Sequence, residues 1–188
     1  MDVTKVLESD HRQVEDLFAK IEKAEGAKRQ PFIDELVTSL RAHMELEEKV
    51  VYPMMEPVTG HEDVQEGTTE HKLARKGLDD VVRLAPDEPG FGAALDSVKA
   101  GITHHVKEEE TEVFPKLRKS KNGEKALAEM ATPFMKKRLE LGLPMGADAL
   151  AAASSKEELL AEAKSAGVDG ASSMTKAQLA DALAEAMA

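Results

Sequence analysis

His43-Met44-Glu45-Leu46-Glu47-Glu48-Lys49-Val50-Val51-Tyr52-Pro53 returns 62 positions later as His105-Val106-Lys107-Glu108-Glu109-Glu110-Thr111-Glu112-Val113-Phe114-Pro115. The two runs share His, Glu at the fourth and fifth following positions, Val at the eighth, an aromatic at the ninth and Pro at the tenth. Four residues of α-helix advance about 400°, so His43 and Glu47 lie one turn apart on one face, as do His105 and Glu109. Each pair can offer an imidazole and a carboxylate to a common cation. A single His-x-x-x-Glu is ordinary on a solvated helix; two copies with the same punctuation are not.

The repeat reaches upstream. His11 precedes His43 by 32 residues and His71 precedes His105 by 34, and each of these upstream histidines follows an acid, Asp10 or Glu70. The unit is a helix with one His, a connection, and a helix with His and Glu. Used twice, it makes two helical hairpins, and facing helices that carry inward His and carboxylate side chains are how four-helix bundles build dinuclear iron or manganese sites.

The pattern His11, His43-x-x-x-Glu47, His71, His105-x-x-x-Glu109, closed by Tyr52-Pro53 and Phe114-Pro115, resembles the hemerythrin-like (HHE cation-binding) family over roughly residues 1 to 140. The resemblance implies an all-α fold, an antiparallel four-helix bundle, holding two iron ions in an oxo- or hydroxo-bridged centre. On it, His11, His43, Glu47, His71, His105 and Glu109 are the expected metal ligands.

Composition agrees with that class. Across 188 residues helix formers dominate, aromatics are 3%, and no long stretch alternates with period two. A net charge of -11 argues against nucleic acid or an anionic membrane as electrostatic partner. With no Cys, neither disulfides nor thiolate ligands exist, which leaves imidazole and carboxylate, a set suited to Fe, Mn or Zn. Met1 to Lys5 form no signal-like start and no apolar run approaches the roughly 20 residues of a membrane span, so a cytoplasmic location is expected.

Along the chain, Asp2 can cap a first helix with Val3, Val6, Leu7, Val14, Leu17, Phe18 and Ile21 in its stripe and His11 among them. Pro31 suits the start of a second helix, in which Glu47 falls among apolar neighbours while Glu45 and Glu48 are expected to face water. Pro53 predicts a kink or an end. Residues 57–63 read as a loop, with His61 at the surface, and Pro86-Asp87-Glu88-Pro89-Gly90 as a turn between helices three and four. Counted back from the closing Pro, His105 matches His43 and His104 matches Ala42. His104 therefore points about 100° away, packed between helices, exposed or behind the ligands.

A short fifth helix interrupted at Pro133 is expected next, then a boundary at Gly142-Leu143-Pro144-Met145-Gly146 and a linker to residue 154. Residues 155–188 form a separate small unit with two capping-box starts, Ser155 to Glu158 and Thr175 to Gln178, opening helices Leu159 to Ala166 and Leu179 to Met187. It resembles the helical modules of the Rho N-terminus and SAP-type domains. From Ala151 onward three Lys face six acids, so a protein partner fits better than phosphate.

Four imidazole nitrogens and two bridging carboxylates leave about two coordination positions on a bridged pair for an exogenous ligand. Oxygen-carrying hemerythrins use a fifth histidine one turn from the third-helix ligand; here those neighbours are Gly67 and Arg75. The departure predicts an open pair reacting with peroxide or dioxygen, most sharply by decomposing peroxide. A sensor of O2, NO or redox state signalling through residues 155–188 is the alternative, and ferroxidase or iron storage, reached by an acidic route through Glu108, Glu110 and Glu112, a third. Tyr52 lies nine residues, about 180°, from His43 on an ideal helix and reads as core packing, unless distortion at Pro53 turns it inward as an extra ligand.

Overall fold

A computed structural model describes residues 1–143 and 145–186, so Pro144 and Met187 of the expectations above lie outside the described residues. The chain is all-helical. Helix α1 (Val3–Lys23) is capped by Asp2, whose carboxylate accepts from the Thr4 N–H, and it pairs with α2 (Gln30–Leu46). From α2 the helix runs on through a π-helical turn, Glu47–Val51, into α3 (Tyr52–Thr59). The second hairpin repeats this: α4 (His61–Arg83) packs on α5 (Phe91–Glu108), which passes through a π turn, Glu109–Val113, into α6 (Phe114–Lys119).

The π turns replace the expected kink. In each, the N–H after the turn bonds the carbonyl five residues back, Tyr52 to Glu47 and Phe114 to Glu109. The next residue is Pro53 or Pro115, which has no N–H and whose ring would strike the carbonyl four residues earlier. Widening the turn by one residue relieves that clash and lets the helix continue. The expected loop at 57–63 shrinks to Gly60, at φ 113 and ψ 161, between α3 and α4. His61 is exposed and pairs with Glu56, as a surface residue would.

Two apolar clusters fill the bundle, and the histidines lie between them. One, around Val14, Leu17, Leu36, Leu78, Val98 and Ile102, sits toward the α1–α2 and α4–α5 connections. The other joins Val3, Val6, Leu7, Leu46, Val51, Met55, Phe114 and Leu117 to the C-terminal third of the chain.

That C-terminal third is more engaged than its sequence suggests. Helix α7 (Gly123–Glu140) runs 18 residues straight through Pro133 and buries Met130, Phe134 and Arg138 against the bundle. Residues 147–153, in the stretch expected to be a linker, form α8 (Ala147–Ala153), which packs on α1 while the Ala153 carbonyl accepts from the Asp2 N–H. Helices α9 (Lys156–Ser165) and α10 (Lys176–Ala186) begin at the two expected capping boxes, with reciprocal bonds between Ser155 and Glu158 and between Thr175 and Gln178. Leu159, Ala163, Leu179 and Leu183 join the same cluster as Val3 and Val6. Among the described residues no helix is long and apolar enough to cross a membrane.

Candidate metal centre

All six residues expected from the duplicated motif converge between the two clusters, and all are buried. His11 and His43 come from the first hairpin, with ring centroids 5.0 Å apart; His71 and His105 come from the second, at 4.7 Å. Glu47 spans the hairpins, its Oε1 3.3 Å from His43 Nε2 and its Oε2 3.3 Å from His71 Nε2. Glu109 does the same from the other side, with Oε2 3.4 Å from His11 Nε2 and 3.6 Å from His105 Nε2. His11, His43 and Glu47 form one set of convergent donor atoms and Glu47, His71 and His105 another, so Glu47 belongs to both.

These donors are aimed at one another without hydrogen bonds to satisfy them. His11 Nε2, His43 Nε2, both oxygens of Glu47 and Glu109 Oε2 are buried and have no hydrogen-bond partner among the described residues. A buried carboxylate without a hydrogen bond costs several kcal/mol, a cost that a cation held between these donors would offset. The donor set is nitrogen and carboxylate oxygen, which suits iron, manganese or zinc.

Each imidazole is held from behind by a carboxylate of the neighbouring helix. His43 Nδ1 lies 3.3 Å from Asp10 on α1, and His71 Nδ1 lies 3.1 Å from Glu48 in the first π turn. His105 Nδ1 lies 2.8 Å from Glu70 on α4, and His11 Nδ1 lies 2.8 Å from Glu110 in the second π turn. Around the bundle the four braces close a ring, α1 to α2 to α4 to α5 and back to α1. With Nδ1 donating outward, the neutral ring presents its Nε2 lone pair inward, which is the tautomer a metal requires.

Cations back most of these braces: Arg138 grips Asp10 at 2.5 and 3.1 Å, Arg75 lies 2.7 Å from Glu48, and Arg12 lies 2.5 Å from Glu110. Glu48, expected in water, is therefore a structural part of the centre, and so is Glu110. The sequence carried their signal, because both occupy the fifth position of the repeated motif, just as Asp10 and Glu70 both precede an upstream histidine. Glu45, by contrast, is at the surface, paired with Lys137.

The field inside favours positive charge. Burial opposes a proton on His43, but Glu47 and Asp10 outweigh it and raise its pKa to about 10; His105 is likewise pushed up to about 9, chiefly by Glu109 and Glu70 against burial. Burial also acts on Glu47, yet His43 and His71 hold its carboxyl well below the usual range.

The π turns also decide where the repeat aromatics point. A turn with one extra residue makes everything beyond it lag by about 100°, so Tyr52 swings from about 180° to about 80° from His43. Its ring stacks on His71, with centroids 5.4 Å apart, and its hydroxyl lies 3.3 Å from His71 Nε2 and 3.4 Å from Glu109 Oε1. Of the two readings of Tyr52, the inward turn beside Pro53 is the one found: Tyr52 is buried and faces the centre. Phe114 mirrors it on His11, at 6.2 Å, without a hydroxyl. Burial and the negative charge of Glu109 and Glu47 push the Tyr52 phenol well above its ordinary pKa.

His104 takes no part in the cage. It is 63% exposed and sits 3.2 Å from Glu108 and 3.6 Å from Glu70. A cavity of about 120 Å³ reaches from the surface beside Glu66 and Glu112 to Tyr52, His105 and Glu109.

Residues 2–117, which carry the whole ring, match the family model described as the hemerythrin HHE cation-binding domain. The chain belongs to that family. This HHE chain is similar in fold to a crystal structure of a hemerythrin HHE cation-binding domain-containing protein from Mycobacterium kansasii, at 20% identity with a TM-score of 0.60 over 99% of both chains. It also resembles a curated protein of Nostoc sp. named DNA nickase, at 26% identity over 153 residues. That match takes in 81% of the HHE chain but 43% of the relative, so the chain spans less than half of that protein's length. Helices α7 to α10 lie beyond the matched segment, yet Arg138 of α7 reaches back to the ring through Asp10.

Proposed function

We propose that this HHE chain is a non-haem di-iron protein that reacts with peroxide or dioxygen, most sharply by decomposing hydrogen peroxide to water and dioxygen. His11 and His43 would hold one iron, His71 and His105 the other, with Glu47 and Glu109 shared between them. Iron bound there supplies reversible one-electron chemistry at each of two neighbouring ions, which peroxide decomposition needs because peroxide is both oxidised and reduced.

The observation that carries this reading is the Tyr52 hydroxyl at the inner end of the cavity, beside Glu109 and His71. In place of a fifth histidine the chain puts a proton donor, with Gly67 leaving the space it occupies. Tyr52 holds Glu109 by its O–H and keeps a proton within reach of a small molecule arriving through the cavity. The carboxylates along that cavity repel anions and admit neutral peroxide or dioxygen. The apolar clusters on either side keep bulk water out of the cage.

Metal analysis joined to an oxygen electrode tests the proposal. Near two irons per chain and one dioxygen released per two peroxides over many cycles are the expected results. A spectrum that changes once per centre without turnover favours the alternative, an O2, NO or redox sensor. One contact favours that alternative specifically: Arg138 links the centre to α7, whose apolar face shares a core with α8 to α10, a route by which residues 155–188 could report its state to a protein partner. Zinc alone in the purified chain would defeat both.

A further inference from the structure

His104-x-x-x-Glu108 is a third His-x-x-x-Glu pair, overlapping the His105-x-x-x-Glu109 ligand pair and offset from it by one residue. The first repeat has no counterpart, since Ala42 and Leu46 stand at the matching positions. The offset turns this pair about 100° from the cage, toward α4 and the surface. There it meets Glu70: His104 Nε2 lies 3.2 Å from Glu108 Oε1 and 3.6 Å from Glu70 Oε1, and the three side chains can offer convergent donor atoms to one ion. Glu70 works in two directions, because its other oxygen, Oε2, lies 2.8 Å from His105 Nδ1.

A cavity runs into the bundle from beside two of these three residues, with His104 outside its lining. Glu70 and Glu108 line it, with Glu66 and Glu112 at its outer part and Glu109 at its inner wall. Glu109 is 4% exposed, and its Oε2 has no hydrogen-bond partner among the described residues. Lys116, the one cation on the lining among the described residues, is engaged 2.9 Å from Asp63. Acidic walls of low dielectric concentrate cations and speed their arrival.

We infer that Glu70, His104 and Glu108 form an outer divalent-cation site from which a metal ion passes along the acidic cavity to the buried ligands. The site takes a borderline cation such as Fe2+ or Co2+, since one imidazole and two carboxylates suit it better than an all-oxygen cage would. Its two carboxylates and exposed imidazole bind more weakly than the buried set, as a transfer site must. The transfer step rests on the proposed buried centre; the outer site itself does not.

Titration of metal-free full-length chain with Co2+, read by equilibrium dialysis and by stopped-flow absorbance, tests it. Wild type takes up two equivalents tightly and a third weakly. His104→Ala and Glu108→Gln each lose the third, keep the two, and fill the buried pair about tenfold more slowly, with unchanged circular dichroism. A wild type without a third equivalent, or a third equivalent that persists in both variants, overturns the outer site; an unchanged filling rate overturns the transfer. His11→Ala/His43→Ala separates the two ideas, because it removes a buried donor set and leaves Glu70, His104 and Glu108 intact. If that variant still binds both tight equivalents, the buried-centre reading falls instead.

Discussion

A side chain at position 67 and the Tyr52 hydroxyl would claim the same space: a Cβ on Gly67 would lie 2.5 Å from Tyr52 Oη and 3.0 Å from Cζ. Gly67 sits one turn before His71, at one of the two neighbouring positions that lack a further histidine, and its missing side chain is what lets the phenol reach Glu109. Gly67→Ala therefore has to push the ring aside in a close-packed layer, costing about 1–3 kcal/mol in urea unfolding. Peroxide turnover should fall as far as in Tyr52→Phe, about 10- to 100-fold, with iron content unchanged. Turnover in Tyr52→Phe within twofold of wild type would reduce Tyr52 to a packing residue.

Loss of one of the six inner side chains should empty the centre rather than merely slow it. His105→Ala removes a nitrogen that Glu109 faces at 3.6 Å, and Glu109→Ala removes the carboxylate shared by His11 and His105. Each should leave less than about one iron per chain after desalting, since neither buried partner can find a replacement donor. Two irons retained in both variants would show that the metal, if bound, sits elsewhere.

The fold and the six central residues were legible because the chain states them twice, with helical spacing and the same closing Pro. What spacing alone could not give is the effect of Pro53 and Pro115 on helix pitch. An ideal helix sends Tyr52 away from His43, and only a π turn sends it inward. The braces were missed for a different reason. Glu48 and Glu110 are a mere 100° past Glu47 and Glu109, a direction that reads as solvent on an isolated helix but as the next helix's histidine in a bundle. Arg138 left no repeat signal at all, since α7 has no counterpart in the first half.

The bracing carboxylates should govern affinity. Glu48→Ala and Glu110→Ala free the rings of His71 and His11 to rotate and to present the wrong tautomer. Metal affinity, measured by competition with a chelator, should drop about 10- to 100-fold in each. Glu45→Ala, whose carboxylate pairs with Lys137 at the surface, should change it by less than about twofold. Equal losses in all three would mean that net charge, not bracing, sets the affinity.

Arg138 offers a way to separate stability from metal binding. Its side chain is 2% exposed, it stacks over Phe134 with 5.7 Å between guanidinium carbon and ring centroid, and it grips Asp10 through two nitrogens. Arg138→Met keeps the volume but leaves the Asp10 charge facing His43 without its guanidinium, which should cost about 3–5 kcal/mol of unfolding free energy. Adding Asp10→Asn removes that stranded charge, so the double variant should regain about 2 kcal/mol of the stability, and the double-mutant cycle should show coupling of roughly 2–3 kcal/mol. Metal affinity should behave differently. The amide that Asp10→Asn introduces is a weaker partner for His43 Nδ1 than the carboxylate, so binding should stay about tenfold down even where stability returns. Recovery of both together would mean that the Asp10 charge serves only its ion pair with Arg138; recovery of stability alone would make the Asp10 carboxylate behind His43, apart from that ion pair, a determinant of metal affinity.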